Sequence, residues 1–245
     1  MEKTAGTTAE HTTDTTAEHT AGPAVPDAAD TTVANTAGAD RTGAAPPGIE
    51  LIETDGEVTL SIGGEQAMQA WERDLMWASA DLLCRHGRDF YEVGLGLGLS
   101  ALRIARNPAT RSHTVLELFD EVEELFRARH TDLPSTLAIE RGDFFRRIHE
   151  LPAESIDGMF FDPALEMEVW QDAELWSRSM TEVVRVLRPG GVFIPFFSTR
   201  PELRWQYVDH FRTVHVERHT YQAYESTEYT YGTSGNAYIQ CFVKD

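Results

Sequence analysis

From residue 67 onward, apolar positions switch repeatedly between a three-to-four-residue period and short compact runs. Met68, Trp71, Leu75, Ala78 and Leu82 recur at helical spacing and predict a helix over Ala67–His86. Asp89–Val93 reads as a short buried strand ending at a glycine loop, and Leu99–Arg106 as a helix stopped by Asn107-Pro108. Three strand–helix pairs follow: Thr114–Leu118 with Glu121–His130, Leu137–Arg141 with Phe144–Glu150, and Asp157–Phe161 with the amphipathic Ala173–Leu187. The turn Arg188-Pro189-Gly190-Gly191 then leads into a strand over Val192–Phe197. Regular alternation of strand and helix predicts an α/β fold, a parallel sheet with helices on both faces. After Pro201–His210 the pattern changes. Phe211–His219 and Asn236–Val243 alternate residue by residue and predict an antiparallel pair at the end of the sheet.

Composition divides the chain near residue 48. Within residues 1–48, 24 positions are Ala or Thr, and Leu, Ile, Phe, Trp and Tyr are missing. The hexapeptide TTAEHT occurs at Thr7–Thr12 and again at Thr15–Thr20. Such a stretch cannot bury enough apolar surface to offset chain entropy, so residues 1–48 are expected to form a disordered tail and residues 49–245 to carry the function. His11 and His19 in that tail read as solvated rather than metal-binding. The 245-residue chain has a net charge of −19, which argues against nucleic acid or a membrane surface as a partner. It suits a small cationic substrate and is compatible with a homodimer. There is no apolar run of the ~18–20 residues a membrane helix needs, and the first residues have no secretory pattern. Cys84 and Cys241 are too few for a disulfide scaffold or a four-thiolate zinc site. A cytoplasmic protein is expected. His210, His215 and His219 invite a metal reading, but no cysteine or carboxylate pattern near them completes a site, so no metal is expected.

Glu92-Val93-Gly94-Leu95-Gly96-Leu97-Gly98 joins the first strand of the alternating region to its helix. Glycine there lets backbone approach a nucleotide with no Cβ in the way. About 20 residues on, Glu117 falls near the end of the next strand, where a carboxylate can accept hydrogen bonds from ribose hydroxyls. A dinucleotide loop is spaced G-x-G-x-x-G, to place a helix N-terminus on a pyrophosphate. The spacing here is different. It resembles the E-x-G-x-G-x-G motif of class I S-adenosylmethionine-dependent methyltransferases. Gly142-Asp143-Phe144 after the third strand, Phe160-Phe161-Asp162-Pro163 ending the fourth and Leu187-Arg188-Pro189-Gly190-Gly191 before the fifth agree with the resemblance in order and spacing. It implies a Rossmann-like fold with a mostly parallel seven-stranded sheet and an antiparallel C-terminal strand pair. It also implies S-adenosyl-L-methionine as cofactor, held by Glu92, Gly94, Gly96, Gly98, Glu117, Gly142, Asp143 and Phe144.

Upstream, Met68, Trp71-Glu72 and Met76 are similar to the segment before the cofactor loop in guanidinoacetate N-methyltransferases and relatives that methylate arginine. The last strand, Asn236–Lys244, resembles that family as well, so the likeness runs from about Glu65 to Lys244. It implies that Met68 and Met76 line the cofactor site, that Glu72 and Asp162 hold a guanidinium as catalytic residues, and that Ser198 and Thr199 contact substrate. The chemistry agrees. Guanidinium presents forked donors that pair with carboxylates. Its pKa exceeds ~12, so the attacking nitrogen needs a group to take its proton. Glu72 has a plainer reading, a helix residue paired with Arg73 or Arg85, and Asp162 could instead position the cofactor's amine. Two features depart from the family: Pro163 and Ala164 follow Asp162 where a hydroxyl or aromatic residue is usual, and no tryptophan precedes Trp71. L-arginine or a related natural-product precursor therefore fits as well as guanidinoacetate. The alternatives are a methyltransferase of another small amine, hydroxyl or carboxyl acceptor, and a protein arginine methyltransferase.

Overall fold

The computed structural model describes residues 48–245; the tail, with His11 and His19, lies outside the described residues. Two tight turns shape the first segment. Asp55-Gly56 and Gly63-Gly64 all have positive φ, as the turns of two-residue hairpins require. They fold β1 (Ile49–Thr54), β2 (Glu57–Ile62) and β3 (Glu65–Gln69) into a three-stranded antiparallel sheet. The helix expected to start at Ala67 is thereby corrected. Pairing with β2 takes up the backbone of residues 65–69, a 3-10 turn follows at Ala70–Glu72, and α1 spans Arg73–Cys84. The spacing of Met68, Trp71 and Leu75 crosses a strand, a turn and a helix, so these residues do not share one helical face.

The remaining strands are β4 (Asp89–Val93), β5 (Ser112–Glu117), β6 (Leu137–Arg141), β7 (Ile156–Phe161), β8 (Leu187–Pro195), β9 (Thr213–Gln222) and β10 (Ser234–Val243). They form one seven-stranded sheet in the order β6-β5-β4-β7-β8-β10-β9. The first five strands of that order run parallel, and β10 is antiparallel to both β8 and β9. This is the sheet the sequence predicts, with several strand boundaries moved, the start of β8 the most. β8 begins at Leu187, which pairs with Ile156; Arg188–Gly191, expected as a turn before the strand, bulge out of the ladder inside it, and pairing resumes at Val192 opposite Gly158.

The connections carry α2 (Leu99–Ala105), α3 (Asp120–Arg129), α4 (Phe144–Arg147), α5 (Met167–Gln171), α6 (Ala173–Val186) and α7 (Trp205–Val208). Successive strand residues enter opposite cores because side chains alternate across a sheet. Phe160 packs with α1 and α2, whereas Met159 and Phe161 pack with α6. Trp176 on α6 is fully buried against Phe145, Phe161 and Tyr207. Strand order reverses around β4, whose neighbours are β5 and β7. In open α/β sheets, ligands bind beside such a switch point, at the carboxyl ends of the strands.

Candidate active site

A cleft of about 600 Å³, its mouth included, opens at that edge. Its floor is Val93, Gly94 and Gly96 after β4, with Leu116 and Glu117 of β5 and Gly142, Asp143 and Phe144 after β6 at one side. Asp162, Pro163 and Ala164 after β7 border the other, and Leu60, Ile62, Ala67 and Met68 of the N-terminal sheet form a wall.

The loop after β4 is shaped by glycine. Gly94, Gly96 and Gly98 all have positive φ. At Gly94 an added Cβ would collide with the Asp162 carbonyl oxygen, and at Gly96 it would press on the Met68 thioether. Met68 closes onto the loop, and its Sδ accepts a hydrogen bond from the Leu97 N–H at 3.3 Å. Glu117 ends β5 with its carboxylate accepting from the N–H groups of Leu95 (2.8 Å), Leu118 (2.8 Å) and Phe119 (3.0 Å). Burial raises its pKa, and those three N–H groups oppose the rise. Asp143 caps α4, accepting from the Phe145 N–H at 2.8 Å.

Three expected cofactor residues stand back from the cleft. Glu92 is fully buried; it accepts from the Ser100 hydroxyl and lies 2.9 Å from His113 Nε2, so it ties the loop to α2 and β5. Gly98 begins α2 and leaves room for the Phe126 ring. Met76 packs in the core on the inner face of α1, a consequence of the strand-to-helix change between it and Met68.

Asp162 lines the cleft; Glu72 is not among the lining residues but lies near enough to act on Asp162. They lie in chain segments 90 residues apart, yet the Glu72 charge raises the Asp162 pKa. Burial is the larger cause, and it lifts Asp162 well above the usual carboxylate range. Burial pushes Glu72 up to about 7, opposed by the Gln69 backbone N–H, which donates to Glu72 Oε1 at 2.7 Å. The plainer reading of Glu72 is removed: Arg73 pairs with Asp74, and Arg85 with Glu217. Carboxylates at the opposite edge of the sheet behave differently. Hydrogen bonds from Arg111 and Arg188 hold Asp89 down at about 2, and Arg188 also binds Asp157 at 2.6 Å. The chain thus satisfies its acids with arginines at one edge of the sheet and leaves two without an ion pair among the described residues at the other.

Gln69, the residue before the 3-10 turn, organises the surroundings. Its amide donates to Thr59 Oγ1 (2.9 Å) and Ser226 Oγ (3.1 Å), and its carbonyl accepts from Trp71 Nε1 (2.9 Å) and Thr227 Oγ1 (2.6 Å). Gln66 accepts from the Glu228 N–H, and its backbone carbonyl from the Tyr229 hydroxyl. The β9–β10 loop is thereby strapped across the N-terminal sheet. Sequence reasoning passed over Gln69; nothing but its place beside Trp71-Glu72 could have flagged it. Ser198 bridges Tyr238 through its backbone, and its hydroxyl accepts from the Arg200 N–H at 3.1 Å. Ser198 and Thr199 lie beyond β8 and do not line the cleft. Among the described residues no cluster of three or more His, Cys, Asp or Glu could hold a metal ion, and no helix is long and apolar enough to cross a membrane.

A glycine-cradled cleft at the switch point, an acid ending the second strand of a 6-5-4-7-8-10-9 sheet and an antiparallel final strand define the class I S-adenosylmethionine-dependent methyltransferases. Within that class, residues 49–223 match the model of the family described as guanidinoacetate N-methyltransferase. The chain belongs to that family. Over 115 residues it is also 36% identical to phthiotriol/phenolphthiotriol dimycocerosates methyltransferases of Mycobacterium tuberculosis and Mycobacterium bovis, covering 47% of this chain and 39% of theirs. The similarity thus spans well under half the length of those relatives. Among solved structures, spermidine synthase from Thermotoga maritima shares the fold at a TM-score of 0.61 and 13% identity, over 80% of this chain and 69% of that one. N-methyltransferase NodS from Bradyrhizobium japonicum shares it at 0.52 and 16%, over 71% and 96%.

Proposed function

We propose that the protein transfers a methyl group from S-adenosylmethionine to a guanidino nitrogen of a small molecule. Glu72 and Asp162 serve as the acceptor's clamp and proton acceptor. The observation that carries this reading is Asp162 on the cleft lining with Glu72 near enough for its charge to raise the Asp162 pKa, both carboxyls raised chiefly by burial and neither in an ion pair among the described residues. Two like charges held close in a half-buried site are costly alone. A planar guanidinium, one delocalised positive charge with several forked N–H donors, relieves that cost by hydrogen-bonding both at once, which a neutral or anionic acceptor cannot do.

The residues present fit the cofactor. Gly94 and Gly96 keep backbone open where a side chain would intrude, and Glu117 and Asp143 present carboxylates at the cleft. When bound, S-adenosylmethionine supplies an electrophilic methyl group on a cationic sulfur. The chain supplies position and a proton sink. Glu72, titrating near 7, is poised to take a proton from a guanidinium as its nitrogen begins to bond. Asp162 fixes the plane of the group, and orientation supplies much of the acceleration.

The test is an acceptor panel with methyl-labelled S-adenosylmethionine and the full chain. Guanidinoacetate, L-arginine and related guanidino compounds are set against amines, phenols and carboxylic acids. Label transfer to guanidino compounds, lost in Glu72→Gln, supports the proposal. Transfer only to a phenol or a carboxylic acid overturns it.

A further inference from the structure

β9 closes one end of the seven-stranded sheet and pairs only with β10 among the described residues. Exposed strand edges are templates for further pairing, and proteins ordinarily blunt them with proline, lysine, a bulge or brevity. β9 uses none of these. It is ten residues long, contains no proline, glycine or lysine, and keeps one-to-one register with β10 from end to end. The opposite edge differs: β6 has five residues, and its Glu140 and Arg141 form ion pairs with Arg147 and Asp120. The phase of the hydrogen bonds on β9 is fixed by its partner strand. Tyr238 exchanges both backbone bonds with Ser198, on the far side of β10, and stands opposite Arg218 of β9. Arg218 and its alternates Val214, Val216 and Thr220 therefore turn their N–H and C=O groups to the outer edge. Val216 lies in the middle of this row with its side chain 52% exposed.

We propose that this edge binds the same edge of a second copy of the chain, antiparallel about a two-fold axis at Val216, so that the two sheets join into one. Self-complementarity decides the register. About that axis Val216 meets Val216 with both backbone bonds exchanged, and Val214 meets Arg218 on either side. On the face toward Arg85 and the end of α1, His215 of each copy stands opposite Glu217 of the other, which sets an imidazole N–H against a carboxylate twice. Glu217 has capacity for this: an ionised carboxylate accepts about four hydrogen bonds, and here it holds Arg85 at 3.1 Å and His219 at 3.3 Å. Moving the axis to Glu217 sets two glutamates face to face, and moving it to Arg218 two arginines; both arrangements repel. Moving it to His215 leaves Glu217 opposite Thr213. A contact made by the same patch on both copies closes as a dimer and does not propagate.

Analytical ultracentrifugation of the full chain at micromolar concentrations should give twice the mass of one chain. Val216→Asp places two carboxylates on the axis and should raise the dimer dissociation constant about a hundredfold or more. Its calorimetric affinity for S-adenosylmethionine should be unchanged, since Val216 does not line the cleft, and this also shows that the variant folds. Val216→Cys should be joined to its copy by a short bifunctional maleimide, because residues in a hydrogen-bonded pair have Cα atoms about 5.5 Å apart. Thr220→Cys should not be joined: Thr220 stands opposite Arg212 in this register, which puts its copies about 27 Å apart along the ladder. The native Cys84 and Cys241 are buried and do not compete. A monomer throughout the concentration range overturns the proposal, as does a dimer that Val216→Asp leaves intact. So does a dimer that fails to cross-link at Val216→Cys or cross-links as readily at Thr220→Cys. Should Val216→Asp fail to fold, the two cysteine variants decide the matter alone.

Discussion

Replacing Glu72 by glutamine changes the electrostatics of the site while keeping its shape, because the new side chain still offers an oxygen to the Gln69 N–H. In the wild type, burial raises Glu72 from 4.5 to about 7, and the Gln69 N–H pulls the other way. Between those values the folded chain binds more protons than the unfolded chain. Unfolding free energy therefore falls as pH rises through that window and levels off above it. At about 1.4 kcal/mol per pKa unit the full effect is roughly 3 kcal/mol. Glu72 is only half-buried, and solvent screening reduces this to about 1–2 kcal/mol. Glu72→Gln removes the penalty and also relieves the repulsion that raises Asp162. In urea denaturation, variant and wild type should have similar stability near pH ~5, and the variant should be more stable by about 1–2 kcal/mol near pH ~8. Activity should move the other way. Wild-type kcat/KM should climb through pH about 7 as Glu72 loses its proton, and the variant should lose most turnover. A stability difference of the same size at both pH values would refute the reasoning, since it would mean that Glu72 is not titrating against its burial.

Asp162→Asn should cost about 2–5 kcal/mol of transition-state stabilisation on guanidino acceptors. Combined with Glu72→Gln it should cost less than the sum, which steady-state kinetics of the cycle will read. Gly94→Ala places a methyl group against the Asp162 carbonyl at a φ of 90°. It should lower stability by at least about 2 kcal/mol and weaken S-adenosylmethionine binding in calorimetry. Gln69→Ala strips the shared partner from Trp71, Thr59, Ser226 and Thr227. A loss of about 2–4 kcal/mol and faster proteolysis in the 224–231 loop are expected.

The parallel half of the fold is written in the sequence because strands buried on both faces need compact apolar runs, and the helices between them need one apolar stripe. Asp89–Val93 and Leu137–Arg141 are strands over the same residues as read from the sequence. The N-terminal sheet was hidden behind a coincidence of spacing. Asp55-Gly56 and Gly63-Gly64, each between alternating runs, are hairpin signals and could have revealed it. The site shows the same division. Gly94, Gly96, Glu117 and Asp162 follow from strand ends, which the pattern locates. Met76 and Glu92 do not, because inward orientation depends on where α1 begins and on which face of β4 meets His113.

Met68 and Glu72 sit four residues apart, on a strand and the turn that ends it, and Gln69 between them anchors the strap. Met68 rests on the cofactor loop, while Glu72 is the residue proposed to hold the acceptor. Any substitution that shifts this segment to admit a new acceptor also shifts the wall of the cofactor cleft, so the two affinities are mutationally coupled. The segment after β8 has no such tie: Ser198 and Thr199 stand apart from the cleft lining. Lineages that change acceptor while keeping the cofactor have a cheap route there and a costly one at residues 66–72. Divergence in substrate range within the family is therefore expected to accumulate after β8, leaving the hairpin that carries Met68 and Glu72 comparatively fixed.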